Sequence, residues 1–199
     1  MGRTATFDRA ELVGVARDLF WRHGFGEVSV TDIEKETGVG RSSIYHAFGS
    51  MRGLFDTAVE DYLNTVVRPR LAGLVADDIS PDALIDYLAG LRDAILTIAQ
   101  TGAAPAGCLI LTASATPIGS DETVHAVIES YRAELASAVL RGVQALLPDA
   151  TPSVVDHHTR LTVAAIIAAQ CLARIDAAEA ARTLDAAGEA LGAAAALEG

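Results

Sequence analysis

"GVGRSSIYHAF", residues 38–48, sets a double-glycine turn directly before a stretch holding Arg41, Ser42, Ser43, Tyr45 and His46. The spacing predicts one short helix over Val30–Thr37 and a second over Arg41–Phe48, with 38–40 as the turn. Ser29 is a good N-cap for the first, and Ile33 points inward. In the second, Ile44 and Phe48 lie four apart and share a buried face. That leaves Arg41, Ser42, Ser43, Tyr45 and His46 on the opposite face. Two short helices joined by a glycine turn make a helix-turn-helix, whose second helix enters the DNA major groove. Arginine reads guanine through two hydrogen bonds, and serine reaches base edges or phosphate. Tyr45 and His46 have the reach and donors for the phosphate backbone. The small Ser42 lets the helix backbone come close to the groove. The alternative is a solvated amphipathic helix in an arbitrary bundle.

Working outward, the first helix starts near Asp8. Leu12, Val15, Ala16, Leu19 and Phe20 recur at three- and four-residue steps as one apolar stripe. Gly24 sits where a left-handed residue would end it. Gly49-Ser50 closes the helix over 41–48, and Ser50 caps a fourth helix carrying Leu54, Phe55, Ala58, Val59 and Tyr62. Pro69 is expected to weaken that helix. Ser80-Pro81 reads as an N-cap with proline at the first helical position, opening a helix to about Gln100. Residues 101–107 read as a loop and 108–116 as a short helix broken by Pro117-Ile118-Gly119. Ser120 and Thr123 precede a long helix ending near Leu147. The last two helices are expected over about 153–174 and 177–196. No stretch alternates like a strand. The chain is 51% hydrophobic and only 5% aromatic. Much of the apolar share is alanine, the strongest helix former. The expected fold is all-α with nine helices, three of them short and N-terminal.

The net charge of −11 argues against a general polyanion binder. Its distribution says more. Residues 1–52 hold seven basic and seven acidic residues, whereas 53–199 hold eight and nineteen. Contact with nucleic acid is therefore assigned to 1–52, where the basic groups must cluster on one face. No apolar run is long enough to span a bilayer, and no signal peptide is visible, so the cytoplasm is the expected compartment and no membrane partner is expected.

The order of residues in "FWRHGFGEVSVTDIEKETGVGRSSIYHAFGSMRGLF" closely resembles the N-terminal DNA-binding domain of the TetR family of bacterial transcriptional repressors. Phe20, Gly24-Phe25, Val30, Asp32-Ile33, Gly38-Val39, Ile44-Tyr45, Phe48 and Leu54-Phe55 carry the resemblance, which covers about residues 8–60. Beyond that, the chain is similar in length, helix count and gross order. The resemblance implies a helix-turn-helix domain over 1–52 and an effector-binding and dimerisation domain over 53–199. It implies an Ω-shaped homodimer that binds palindromic operator DNA as a repressor and is released by a small-molecule effector. Candidate DNA contacts are Ser29, Thr31, Arg41, Ser42, Ser43, Tyr45, His46 and Arg52. Val28 stands where the family often has Thr, and Ser42 where Gly is common. Met51 stands where the family usually has Lys. Arg52 follows it, but its direction on the helix differs by about a hundred degrees. Weaker DNA binding is the implied consequence.

The effector half is read from apolar candidates on the helices after residue 60, since a cavity in a helical domain is the default ligand site. They are Tyr62, Tyr87, Leu91, Ile95, Leu111, Thr112, Ile128, Tyr131 and Gln170, each with plain core packing as its alternative. Cys108 is added because a thiol in a helix's first turn has its thiolate stabilised by the helix dipole. Some TetR-like regulators with a similar Gly-Cys-Leu segment respond to oxidants or electrophiles; the alternative is a small buried residue anchoring the short helix. Cys171, in an apolar run, is expected to be packing. Two cysteines make no disulfide framework. His157 and His158 point about a hundred degrees apart on a helix and cannot share one metal ion without a further ligand. Ala164, Ala165, Ala168 and Ala169 allow close helix approach, so the last two helices of two chains are expected to form a four-helix interface.

No GxSxG, P-loop, metal quartet or paired carboxylates at a recognisable spacing occur, so no catalytic residue, cofactor or metal is assigned and the chain is expected not to be an enzyme. The leading reading is a ligand-responsive DNA-binding repressor. The alternatives are a redox- or electrophile-sensing regulator acting through Cys108 and a helical interaction module with weak DNA binding.

Overall fold

Asp8 starts the first helix by accepting hydrogen bonds from the amides of Ala10 and Glu11 at 2.8 and 3.2 Å. The computed structural model describes residues 7–102 and 104–198. Residues 1–6 and 199, at the outer ends of the two expected domains, and Ala103 of the expected loop lie outside the described residues. Helix α1 spans Arg9–His23 and ends at Gly24, whose φ of +87° suits glycine. Helices α2, Val30–Thr37, and α3, Arg41–Phe48, flank Gly38, which takes the left-handed conformation at φ +69°. Ser50 caps α4, Met51–Tyr62, through the Gly53 amide at 3.0 Å.

Helix α4 runs without a break through a π-turn, Leu63–Val67, into α5, Arg68–Val75. The weakening expected at Pro69 takes this form. The Arg68 amide bonds back five residues to Leu63, just ahead of the proline that has no N–H to offer. Helix α6 spans Ala83–Thr101, α7 Leu109–Ser114, α8 Glu122–Leu146, α9 Pro152–Leu172 and α10 Ala177–Glu198. With the 51–75 rod taken as one, the described residues form nine helices and no strand.

Two starts differ from expectation. Ser80 closes a turn instead of capping α6: its carbonyl accepts from Ala83 and its hydroxyl from Asp82. Pro81 therefore sits in that turn, and the helix begins at Ala83. Helix α8, which Ser120 and Thr123 were expected to precede, starts at Glu122, so Thr123 lies inside it, and Asp121 caps it through the amides of Thr123 and Val124 at 3.0 and 3.2 Å.

A core without interruption runs from α1 to α10. Leu12, Ala16 and Phe20 of α1 pack with Ile33, Ile44, Leu54 and Phe55, and the rings of Phe20, Phe25 and Phe55 lie 4.9–5.9 Å apart. The expected domain division at residue 52 falls inside α4, which packs on α1 and also on α7. In the second half α10 lies against α6 and α9, and α8 against α9 and α5.

The far end of α1 is fastened to the second half. Trp21 stacks edge-on against Tyr62 at 4.8 Å, and its indole N–H donates to the Gly107 carbonyl at 3.1 Å. Arg174, just past α9, donates to the carbonyls of Trp21 and Arg22 at 2.9 and 3.0 Å. Those carbonyls belong to the last turn of α1, where intrahelical partners run out. Gly107 has φ +78°, and a Cβ there would lie 2.7 Å from the Gln170 carbonyl oxygen and 2.9 Å from Arg174 Cγ. Gly107→Ala is therefore expected to destabilise the chain by about 1–3 kcal/mol for the backbone conformation alone, with the clash added. Gly73→Ala, at a helical position open to solvent, should instead raise stability by about 0.5–1 kcal/mol. Urea unfolding of both variants checks the pair.

Candidate nucleic-acid interface

Helix α3 owes its outward face to what its other face buries. Ile44 is fully buried, and Phe48 is half-buried with the Arg9 guanidinium 4.8 Å from its ring centroid. Arg41, Ser42 and His46 are exposed, and Ser43 is half-exposed. Tyr45 is partly packed against the core, with the Arg41 guanidinium 5.4 Å from its ring centroid. Gly40 caps α3 without a side-chain bond. The five predicted residues thus stand on one short helix, with hydroxyl, imidazole and guanidinium groups facing outward.

Helix α2 holds α3 in place. Ser29 and Asp32 form a reciprocal capping box: the Asp32 amide donates to Ser29 Oγ at 3.3 Å, and the Ser29 amide to Asp32 Oδ2 at 2.8 Å. The Ser29 hydroxyl also donates to Asp32 at 2.6 Å, and these bonds hold the Asp32 carboxyl below its ordinary pKa. Ser29 and Thr31 are both exposed at the start of α2.

At the start of α4 the expected phosphate contact is engaged elsewhere. Met51 is half-buried and packs against the core. Arg52 donates to Asp56 and to Asp121, both at 2.7 Å. Asp121 therefore caps α8 and also ties it to α4. The Arg52 guanidinium, and after it the Val124 amide, hold the Asp121 carboxyl well below the usual carboxylate range. Sequence reasoning missed this pair. The available signal was that aspartate is a strong N-cap residue; its partner 69 positions away left no trace.

The predicted effector residues fall in four places. Tyr62, Cys108 and Tyr131 meet in the interior, with Cys108 Sγ donating to the Tyr131 hydroxyl at 3.8 Å. Burial raises the pKa of Tyr62 and Tyr131 well above the ordinary value and pushes Tyr87 up to about 12. Cys108 is only 1% exposed. It occupies the N-cap position, not the first turn, of a helix of six residues. Leu91, Ile95 and Gln170 line a space of about 10 Å³ between α1, α6 and α9, too small for a ligand. Ile128 lines a separate cavity between α4, α7 and α8. Leu111 and Thr112 are half-buried on α7, and Thr112 donates to the Cys108 carbonyl. Cys171, expected to pack inside, is exposed, because the inward face of α9 is taken by Thr162, Ile166, Ala169 and Gln170. No group of three or more His, Cys, Asp or Glu side chains among the described residues is placed to hold a metal ion. None of the described helices is long and apolar enough to cross a membrane.

Residues 12–58 match the family model of bacterial regulatory proteins, tetR family. The chain is 32% identical over 111 residues to the HTH-type transcriptional repressor ComR of Escherichia coli (strain K12), covering 55% of this chain and 51% of ComR. The match spans about half the length of ComR and of the HTH-type transcriptional repressor BdcR of the same strain. Among solved structures, a cysteine mutant of the TetR family transcriptional regulator CifR, complexed with 26bp double-strand operator DNA, superposes with a TM-score of 0.77. It is 22% identical and covers 95% of this chain and 99% of that one. A TetR transcriptional regulator from Chloroflexus aurantiacus J-10-FL gives 0.72 at 27% identity, covering 92% and 91%. The helix-turn-helix geometry and these likenesses agree: residues 12–58 are similar to the tetR family of bacterial regulatory proteins, and the described residues share the fold of the TetR-family regulators.

Because Ser29 lowers the Asp32 pKa, the box adds stability above the ordinary carboxylate pKa and loses it as pH falls below that value. Ser29→Ala is expected to cost about 1 kcal/mol and to move the Asp32 titration upward. A carboxyl-resolved NMR titration beside urea unfolding checks both.

Proposed function

We propose that this chain is a homodimeric DNA-binding transcriptional repressor, released from operator DNA by a small-molecule effector. The observation that carries the reading is the exposed polar face of α3, held outward by buried Ile44 and preceded by a box-capped α2. Arg41, Ser42 and Ser43 are the groove contacts; Tyr45 and His46 are the phosphate contacts, with Ser29 and Thr31 beside them. Its relatives' names as transcriptional repressors support the direction of control. Binding, not catalysis, is the activity proposed, and the cytoplasm the compartment.

A second chain is assigned to the outer face of α9 and the turn that follows it. Leu161, Ala164, Ala168, Cys171 and Ile175 are all exposed and recur at three- and four-residue steps. Ala169 faces the other way and is fully buried, so it belongs to the monomer core. Leu161 and Ile175 are 55% and 84% exposed, which is costly in water and supports a covered face. A one-helix reader also needs two half-sites. Arg52 reaches phosphate in this scheme only by leaving Asp121, so the start of α4 contributes less affinity than a free lysine would.

Selection of bound DNA fragments tests the reading, and absence of salt-dependent retention on DNA would overturn it. Arg41→Ala is expected to relax preference at one base pair by about 1–3 kcal/mol. Tyr45→Phe and His46→Ala should weaken all sequences alike. Competitive binding across a panel of single-base operator variants separates these effects. Light scattering at micromolar concentration is expected to give twice the chain mass.

A further inference from the structure

We propose that the crevice between α4, α7 and the first turns of α8 is a ligand site for an uncharged apolar molecule, and that filling it changes DNA affinity. The second clause rests on the reading given under Proposed function; the first does not. Phe55 and Val59 of α4, Ile110 and Ala113 of α7, and Val124 and Ile128 of α8 form the walls. The crevice, partly open at its mouth, has a volume of about 130 Å³. An apolar cavity of about 150 Å³ in another protein stays dry and takes benzene or xenon. The match in size points to an occupant of roughly six to eight non-hydrogen atoms. The mouth carries Asp56 and Thr123, which are exposed, and the Asp56 carboxylate is already met by Arg52 at 2.7 Å. A charged ligand would lose its hydration among these walls and find no counter-charge free. The other large cavities are open grooves with charged or amide rims, such as the one between α6 and α10 bridged by Arg92 and Asp185.

The crevice lies directly beneath the contact between the two halves. Thr123 and Val124 are the residues whose amides Asp121 caps, and Asp121 holds Arg52 at 2.7 Å. Phe55 and Asp56 stand one turn beyond Arg52 on α4, which follows α3 after Gly49 and Ser50. A molecule seated between Phe55 and Val124 favours the α4–α8 separation that it fills, the separation that the Arg52–Asp121 pair spans. It shifts the reader only in proportion to its different affinity for the two arrangements.

Fluorobenzene is the probe, followed by fluorine NMR on the full chain, with benzoate as the charged comparison. One saturable site is expected, with benzoate at least ten-fold weaker. Ala113→Leu fills the crevice with apolar atoms and should abolish binding. Ile128→Phe is a second filling variant should the first fail to fold. Iodobenzene located by its anomalous scattering in a crystal should lie between the three helices. Binding that survives in the folded filled variants, equal binding of benzoate, or iodobenzene found elsewhere overturns the site. For the coupling, saturating fluorobenzene should change affinity for a selected DNA fragment at least three-fold. Asp121→Asn keeps an N-cap while removing the ion pair, and should shrink that change. No change in DNA affinity overturns the coupling. A chain that takes the probe in the crevice yet retains no DNA overturns the coupling and the regulatory reading together, and supports the site.

Discussion

Arg174 holds the two halves of the molecule in one arrangement. Its guanidinium takes the carbonyls at the end of α1, which in a free helix would be left to water. A charge-assisted donor there is stronger than a neutral one. These bonds tie the end of α1, which Gly24 sets, to the second half beside Trp21. Trp21 in turn spans Tyr62 and Gly107, and Tyr62 touches the buried Cys108. A line of packed groups therefore joins the helix beneath the reader to the interior of the larger half. Gly107 belongs to the same arrangement, because any side chain there would meet Arg174.

The reader was legible in the sequence because its rules are local. Ser29, Gly38, Gly40 and Ser50 each act within four residues of their own position, and Ile33, Ile44 and Phe48 follow the helical period. Helix ends were less legible where two local options competed. At Ser80 a turn took the hydroxyl that a cap would have used, and at Asp121 an aspartate put the start of α8 ahead of Thr123. The long-range ties were not legible at all. Nothing near Arg52 announces Asp121, and nothing near Trp21 announces Gly107. The effector residues show a further limit. Periodicity identified Tyr62, Tyr87, Leu91, Ile95 and Tyr131 as inward-facing, but inward-facing residues fill space as readily as they line it. Tyr62, Cys108 and Tyr131 fill it. Cys171 shows the converse: an apolar neighbourhood in sequence became an outward stripe once Gln170 turned inward.

Charge has a similar logic. The excess acid lies after residue 52, and part of it is used internally. Asp61 takes Arg17, Glu134 takes Arg68, Asp121 takes Arg52 and Asp185 takes Arg92. These pairs join elements instead of decorating one helix. They leave Arg41 and His46 without an acidic partner among the described residues. The reader keeps its basic groups available although the chain as a whole is acidic.

The π-turn at Leu63–Val67 is a phase correction in the long rod of α4 and α5. Val59, Leu63, Val67 and Leu71 are buried at steps of four. In an α-helix each such step overshoots a full turn by about forty degrees. By Leu71 the accumulated error would aim the side chain well off the face defined by Phe55 and Val59. The wider turn absorbs that excess, so Leu71 and Leu74 return to the core. The rod is thus indexed: its two halves agree on an inward direction only for this number of residues between them. Any motion passed along it is carried as rotation about its axis as well as tilt.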